Sequence, residues 1–432
     1  ILQQRDFMKK LKAELWDKVQ YIFRNYYDRM IHCAVYYDGE VNLQYLRKAV
    51  YKIVTHFPIL RSTFKSSSID PHWVVNEDYT LDEMVKRMDC DDLRSSTLNA
   101  LSKELDCKGK LQFEIVAHYC NGKSAVSLLI NHMCLDGTDF KYVVNKMVEG
   151  YNLLASGKYL DELQLKSGSR SYSQIYKDMT EEEADKAKKL YKNISRTGVK
   201  NKFDFTDDGA CSTRFNFKKL APATVDALKA KGKEYSATLN DVFMAAYARA
   251  IYPRLAKSDD KRLVITSMKN LRDHIDSKSS EEITNLTGFM PCMLEDIGES
   301  FTDTLKAVAL QNEKSKEDVY CGLYGIPLLA LAFNIFPYSI AEMAIKIGYE
   351  NPLIGMSNIG IISQSGTQLA GLECTDAFMT GATKFKPYIQ LTSTTYNGET
   401  TLCIAQKCSD EDEERIRELL DEIEAQLLNF IA

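Results

Sequence analysis

No Cys-x-x-Cys pair occurs in the 432 residues, and the eleven cysteines are odd in number. In a chain of this size that spacing argues against a disulfide framework and for free thiols in a reducing compartment, so a cytoplasmic setting is expected. Arg5, Lys9, Lys10 and Lys12 sit among mixed residues with no apolar core after them, unlike a secretory leader. Blocks of like basic residues are also lacking, and the net charge is −5. This argues against nucleic acid as a main partner, because phosphate binding needs a concentrated basic surface. No apolar run reaches the roughly 18 residues of a membrane span. The nearest case, residues 326–348, is interrupted by Pro337, Glu342 and Lys346. It reads as two buried or tunnel-lining helices broken near Pro337, or else as a lid that touches membrane or a lipid substrate, with no stable membrane insertion. No glycine-rich loop fits a P-loop or dinucleotide fingerprint, so no bound cofactor is expected.

Hydrophobic residues make up 45% and charged residues 27%, which is ordinary for a globular protein, and the length suggests more than one domain. Residues 12–30 look helical and aromatic-rich. Residues 31–39 alternate like a strand, and Leu43, Leu46, Ala49, Val50 and Ile53 recur at helical spacing. "LQFEIVAHYC" and "KSAVSLLI" flank Asn121-Gly122 and predict a hairpin. Residues 167–201 are polar and read as solvated, without chemistry. A second set follows: a strand near 211–217, a helix over 222–235, a longer helix over 236–255 capped at Thr238 or Asn240, a strand near 262–268, and a last helix marked by Ile416, Leu419, Leu420, Ile423 and Leu427. The expected fold is mixed α/β, in two lobes: residues 1–180, a linker at 181–202, and residues 203–432. Substrate is expected between the lobes.

Histidine is scarce, with six in all, yet one stands at the end of the return strand, in "NHMCLDG" (residues 131–137). It heads the one His-x-x-x-Asp of the chain, His132 to Asp136, followed by Gly137. A histidine there can act as a general base, since its ordinary pKa near 6.5 lets it take and return a proton at neutral pH. Its ring must be held in one orientation, and Asp136 is a candidate for that work, directly or by organising the loop. Gly137 would let the backbone turn tightly into the next helix, capped by Asp136 or Thr138. The competing reading is a hydrogen-bonded core histidine with Asp136 as a helix cap. A metal site is not expected, because no helix presents His132 and Asp136 together. Cys134 reads as a buried thiol, and His118 and His274 as structural or surface residues. Ser357 and Asn358, in "GMSNIG", are candidates to hydrogen-bond a substrate or oxyanion; the second glycine falls one residue late for a hydrolase elbow.

These segments resemble the chloramphenicol acetyltransferase-like superfamily, in particular stand-alone relatives of peptide-synthetase condensation domains and alcohol acyltransferases. The family signature is His-His-x-x-x-Asp-Gly. His132 stands at its second, catalytic histidine, and Asn131 replaces the first. "HFPILRSTF" is similar to the family's HP-x-LR-x-x-F, and "SATLNDVFMAAYARAI" to the helix opening its second lobe. "MKNLRDH" resembles the region carrying an arginine that pairs with the motif aspartate, here Arg272 with Asp136. "NLTGFMPCMLE" matches a family strand with Gly288 at its glycine, and "SNIG" and "TTYNGETTLCI" fit late strands. The Asp-Phe-Gly-Trp-Gly motif of the plant branch is absent.

The resemblance implies two α/β sandwich lobes with a channel between them and His132 midway along it, Gly137 keeping the channel open. It implies acyl transfer in a ternary complex, without an acyl-enzyme. The donor would be an acyl group on coenzyme A or on the phosphopantetheine of a carrier protein, and the acceptor an alcohol or amine. An ester is favoured over an amide because no carrier or adenylation domain adjoins. The alternatives are a free-standing amide-forming condensation enzyme and a non-catalytic protein that binds an acyl chain or carrier. A monomer is expected by analogy.

Overall fold

The computed structural model describes residues 9–206 and 209–432; Arg5 and the rest of residues 1–8 lie outside the described residues. Alternating apolar residues form two large sheets. The first runs in the order Cys374–Thr380, Met30–Tyr37, Lys123–Asn131, Phe113–Cys120, Lys86–Asp89. Its neighbours are antiparallel except for the parallel edge pair Lys86–Asp89 and Phe113–Cys120. The predicted hairpin turns at Asn121 and Gly122, both with positive φ (49° and 76°), as a two-residue turn matching the strand twist requires. The second sheet runs Thr287–Leu294, Leu263–Asn270, Ile354–Ile362, Ile389–Tyr396, Glu399–Cys408, Lys384–Phe385, and Ser212–Leu220 also pairs with Glu399–Cys408. A small third sheet joins Lys10–Lys12, His72–Val75 and Ser62–Lys65.

Helices Leu43–His56 and Gly137–Ala155 pack together and share a core with the first sheet. The alanine-rich helix Leu239–Ile251 is apolar on nearly all sides and is buried accordingly, between Phe301–Glu317 and Asp410–Ile431. Thr238, not Asn240, caps it, in a reciprocal box with Asp241.

The halves interleave. Strand Cys374–Thr380, late in the chain, pairs with Met30–Tyr37 of the first sheet. Leu271, Ile275, Ile283 and Leu286 join the first core rather than the second. This crossing brings a second-half loop against the histidine motif.

Three readings need correction. The helix expected over residues 12–30 covers Leu15–Ile22 alone. Beyond it Asp28 accepts hydrogen bonds from Met30 N (2.9 Å) and Thr383 N (3.0 Å), and this anchorage to a distant segment overrides a helical continuation. The stretch 167–201 is not uniformly solvated: Ile175 and Ala187 are buried, and Arg170 turns inward to several partners. The apolar stretch does form two helices, Ile326–Ile335 and Tyr338–Gly348, broken at Pro337. Each buries only one face, however, and Ile335, Met343 and Ile347 are exposed. Among the described residues no helix is long and apolar enough to cross a membrane.

Candidate active site

Strand Lys123–Asn131 is central in the first sheet and buried along nearly its whole length, so its end is held firmly. Asn131, at that end, is fully buried. Its Nδ2 donates to Gln112 Oε1 (2.8 Å), and its Oδ1 accepts from Met133 N (3.0 Å). The side chain thus closes the turn that presents His132. The His132 amide donates to the Arg29 carbonyl at 2.7 Å.

The imidazole is half-buried. Its Nδ1 lies 3.1 Å from Asn285 Oδ1. The Asn285 amide orientation is fixed independently, because its Nδ2 donates to the carbonyls of His132 (2.7 Å) and Met133 (3.3 Å). An amide oxygen can only accept, so Nδ1 carries the proton and Nε2 keeps a free lone pair. Burial pulls the His132 pKa below its ordinary value. A contact with its own carbonyl, the charge of Asp136 and the Asn285 bond oppose that pull without reversing it, and Lys384 adds to it. The ring is therefore neutral at pH 7.

Asp136 makes no hydrogen bond or ion pair with the imidazole, so direct orientation by this carboxylate gives way to orientation by Asn285. Asp136 Oδ1 caps the helix Gly137–Ala155, accepting from Thr138 N (3.0 Å) and Asp139 N (3.1 Å). Its Oδ2 accepts from Arg272 Nη1 (2.7 Å) and Leu286 N (2.8 Å). Burial would raise its pKa, but the charge and hydrogen bond of Arg272, with the amides of Leu286 and Asp139, hold the carboxyl below the ordinary range. Arg272, itself buried, reaches Asp139 Oδ2 with Nη2 (2.7 Å). Asp139 also accepts from Thr284 N (2.8 Å) and Ser280 Oγ (3.0 Å) and pairs with Lys166. Two carboxylates thus face two cations, and the buried cluster is neutral, the condition under which buried charge is tolerated. Arg170 completes the frame. It binds both oxygens of Asp17 (3.0 and 3.1 Å) and donates to the Cys134 carbonyl (3.1 Å).

Gly137 lacks the positive φ that would demand glycine, so the tight-turn reading does not hold. A Cβ built there meets nothing within 4 Å, so the position faces open space. Gly288 is a true packing glycine, since a Cβ would lie 2.1 Å from the Gly322 carbonyl oxygen. Cys134 is fully buried, and burial pushes its thiol pKa up. His118 is buried between Ser96 and Ser127, and His274 contacts the Cys321 carbonyl (3.2 Å).

Ser357 and Asn358 lie in strand Ile354–Ile362, beside a bulge at Asn358 and Gly360. The strand meets the motif helix where Lys141 Nζ donates to the Ile359 carbonyl (2.7 Å). Neither residue bonds to the His132 loop. Asn358 Oδ1 instead accepts from Gly360 N (2.9 Å).

Sequence reasoning brought His132, Asp136, Gly137 and Arg272 into view and missed Asn285, Asp139, Lys166 and Arg170. Asn285 stands three residues before Gly288, inside a segment already singled out. Arg170 lies in a polar stretch with no pattern to mark it.

The condensation-domain family profile matches residues 20–327. Among solved structures, polyketide synthase associated protein 5 from Mycobacterium tuberculosis is similar over 98% of each chain, at 15% identity and a TM-score of 0.67. TRI3 trichothecene 15-O-acetyltransferase from Fusarium sporotrichioides is similar over 98% of this chain and 95% of its own, at 12% identity and a TM-score of 0.69. The epimerization domain from the third module of tyrocidine synthetase B shares 14% identity over 98% and 97% of the chains, with a TM-score of 0.67. No match is found among curated protein sequences. These structural likenesses concern the fold.

Proposed function

The chain belongs to the condensation-domain family, and from that premise we propose that it is an acyltransferase in which His132 is the general base. The observation that carries the reading is the orientation of the imidazole. Asn285 Oδ1 accepts the hydrogen bond from Nδ1–H, leaving Nε2 unprotonated on a half-buried ring. A neutral imidazole with a free Nε2 suits removal of a proton from an alcohol or amine.

The acceptor oxygen or nitrogen attacks the thioester carbonyl as its proton passes to Nε2. The tetrahedral adduct then breaks its carbon–sulfur bond, and the imidazolium returns the proton to the leaving thiolate. The products are an ester or amide and a free thiol. The donor is an acyl group on coenzyme A or on a carrier protein's phosphopantetheine, both of them substrates, so the reaction as written requires no resident cofactor. Asp136 and Arg272 hold the loop, Asn131 closes the turn beneath it, and the open space at Gly137 suits passage of substrate. Ser357 and Asn358 are more distant candidates for binding substrate. The similar fold of a protein named as an O-acetyltransferase supports ester formation.

The test is thiol release from a panel of acyl-coenzyme A and acyl-pantetheine donors with pooled alcohols and amines. Acceptor-dependent release is expected in the parent, and about 10²- to 10⁴-fold less in His132→Ala, the range a general base supplies. Release unchanged in the mutant would remove His132 from the chemistry. No release with any donor would favour a protein that only binds acyl chains or carriers.

A further inference from the structure

We propose that Lys384 and Arg29 form an anion clamp beside His132 that takes a substrate carboxylate a few atoms from the reacting centre; this rests on the acyl-transfer reading for the identity of that centre. Both residues come from segments that touch the motif loop. The Arg29 carbonyl accepts the His132 amide, and the Arg29 guanidinium reaches Met133 Sδ at 3.6 Å. Lys384 forms a backbone bridge with Tyr27, two residues before Arg29, and its charge is felt at the His132 imidazole.

Neither cation makes an ion pair among the described residues, and the one carboxylate whose charge acts on Lys384 is Asp28. Lys384 makes no hydrogen bond or ion pair there, and its ammonium lies over the Tyr27 ring, 4.3 Å from the centroid. Arg29 makes no ion pair, and its Nε is buried without a partner. The neighbouring carboxylate, Asp28, is engaged elsewhere. Oδ1 accepts from two amides, and Oδ2 faces His32 Nε2 at 3.2 Å. Burial lowers the Lys384 pKa to about 8, which still leaves it charged at neutral pH. Arg47, Arg61, Lys166, Arg170 and Arg272, all largely buried cations, each face a carboxylate, and the half-buried Lys141 has the Ile359 carbonyl instead. Charges withdrawn from water are normally paired, and an unpaired couple in a substrate region awaits its counter-ion from the substrate.

The chemistry narrows what that anion is. The phosphates of a pantetheine donor lie at the far end of the arm from the thioester, whereas these cations stand on segments that touch the motif loop. The partner is therefore a small anionic group near the reacting atoms. A carboxylate suits both an arginine fork and an ammonium. It can belong to the acceptor, as in a hydroxy or amino acid, or to the acyl chain, as in a dicarboxylic thioester.

Equilibrium binding to the full chain separates these sources. The first matched pair is 3-hydroxybutyrate and its methyl ester; the second is succinyl-pantetheine and butyryl-pantetheine. We expect the carboxylate to bind at least tenfold tighter than its neutral partner in one pair, which names the source. Lys384→Met and Arg29→Met should each reduce that preference several-fold while leaving the neutral ligand's affinity within twofold, and Lys384→Arg should retain it. Lack of preference in both pairs, or a preference that survives both methionine variants, overturns the clamp. Thiol release is followed in the same mixtures. A carboxylate preference without release would keep the clamp and sink acyl transfer, and release without preference would do the reverse.

Discussion

Arg272 and Asp136, 136 residues apart in sequence, meet at 2.7 Å with both side chains almost wholly buried. The contact is a joint between the halves of the chain. The same arginine holds Asp139 on the first turn of the motif helix, and the same aspartate accepts the Leu286 amide. Removing one partner leaves the buried cluster with an uncompensated charge, which costs about 3–5 kcal/mol. Asp136→Ala and Arg272→Ala should each lower the unfolding free energy by about that much in denaturant titrations. The double variant should lose less than the sum, because the second substitution restores the charge balance and leaves Asp139 with Lys166. His132→Ala should unfold close to the parent. Parent-like midpoints for both single variants would show that the joint does not stabilise the fold.

Asn285 is the residue on which the proposed chemistry most depends after His132. It fixes the tautomer and also ties the carbonyls of His132 and Met133. Asn285→Leu keeps the volume and removes all three hydrogen bonds. Nδ1–H then has no acceptor, and the ring can place its proton on Nε2, where it blocks the lone pair. The turnover number should fall about tenfold or more, in keeping with orienting groups elsewhere, but less than in His132→Ala. Steady-state rates for both variants decide this. A turnover equal to the parent's would assign Asn285 to the fold alone.

The histidine motif was legible because its features are local: a strand of alternating apolar residues, a two-residue turn, and the one His-x-x-x-Asp of the chain. Helices with clear caps were legible for the same reason, the one that Thr238 caps among them. The resemblance carried Arg272 to Asp136 across a distance no local pattern spans. What stayed hidden depends on the crossing of the two halves. Asn285 faces His132 only because the second-half loop packs into the first core, and Arg170 pairs with Asp17 over 153 residues. The polar composition of residues 167–201 reads as solvated, and burial of one arginine within it leaves no mark on composition. The exposed outer face of the two helices near Pro337 was hidden for the opposite reason, since hydropathy alone reads apolar residues as buried.

Acid should impair the protein in two separable ways, because two of the three histidines with lowered pKa values, His132 and His118, act with different consequences. For His132 the neutral form is the active one, so kcat/KM should hold as pH falls to the ordinary histidine value of about 6.5 and decline only below it. Lys384 contributes to that lowering, so Lys384→Met should move the acid limb to higher pH. His118 is buried between Ser96 Oγ (2.7 Å) and Ser127 Oγ (2.8 Å), an arrangement that suits a ring with one donor and one acceptor nitrogen. Burial lowers its pKa to about 4. Its neutral form is the one the fold favours, so the unfolded chain binds the proton first. The stabilisation is complete above about 6.5 and is lost as pH falls toward about 4, on the order of 1–3 kcal/mol. His118→Gln should be less stable at pH 7.5 but show a flatter dependence of unfolding free energy between pH 6.5 and 4.5, with the acid limb of kcat/KM unmoved. Denaturant midpoints and initial rates over that range check both halves. A parent-like slope in His118→Gln would place the acid sensitivity of the fold elsewhere, and a shifted rate profile in that variant would mean that unfolding, and not protonation of His132, sets the limb.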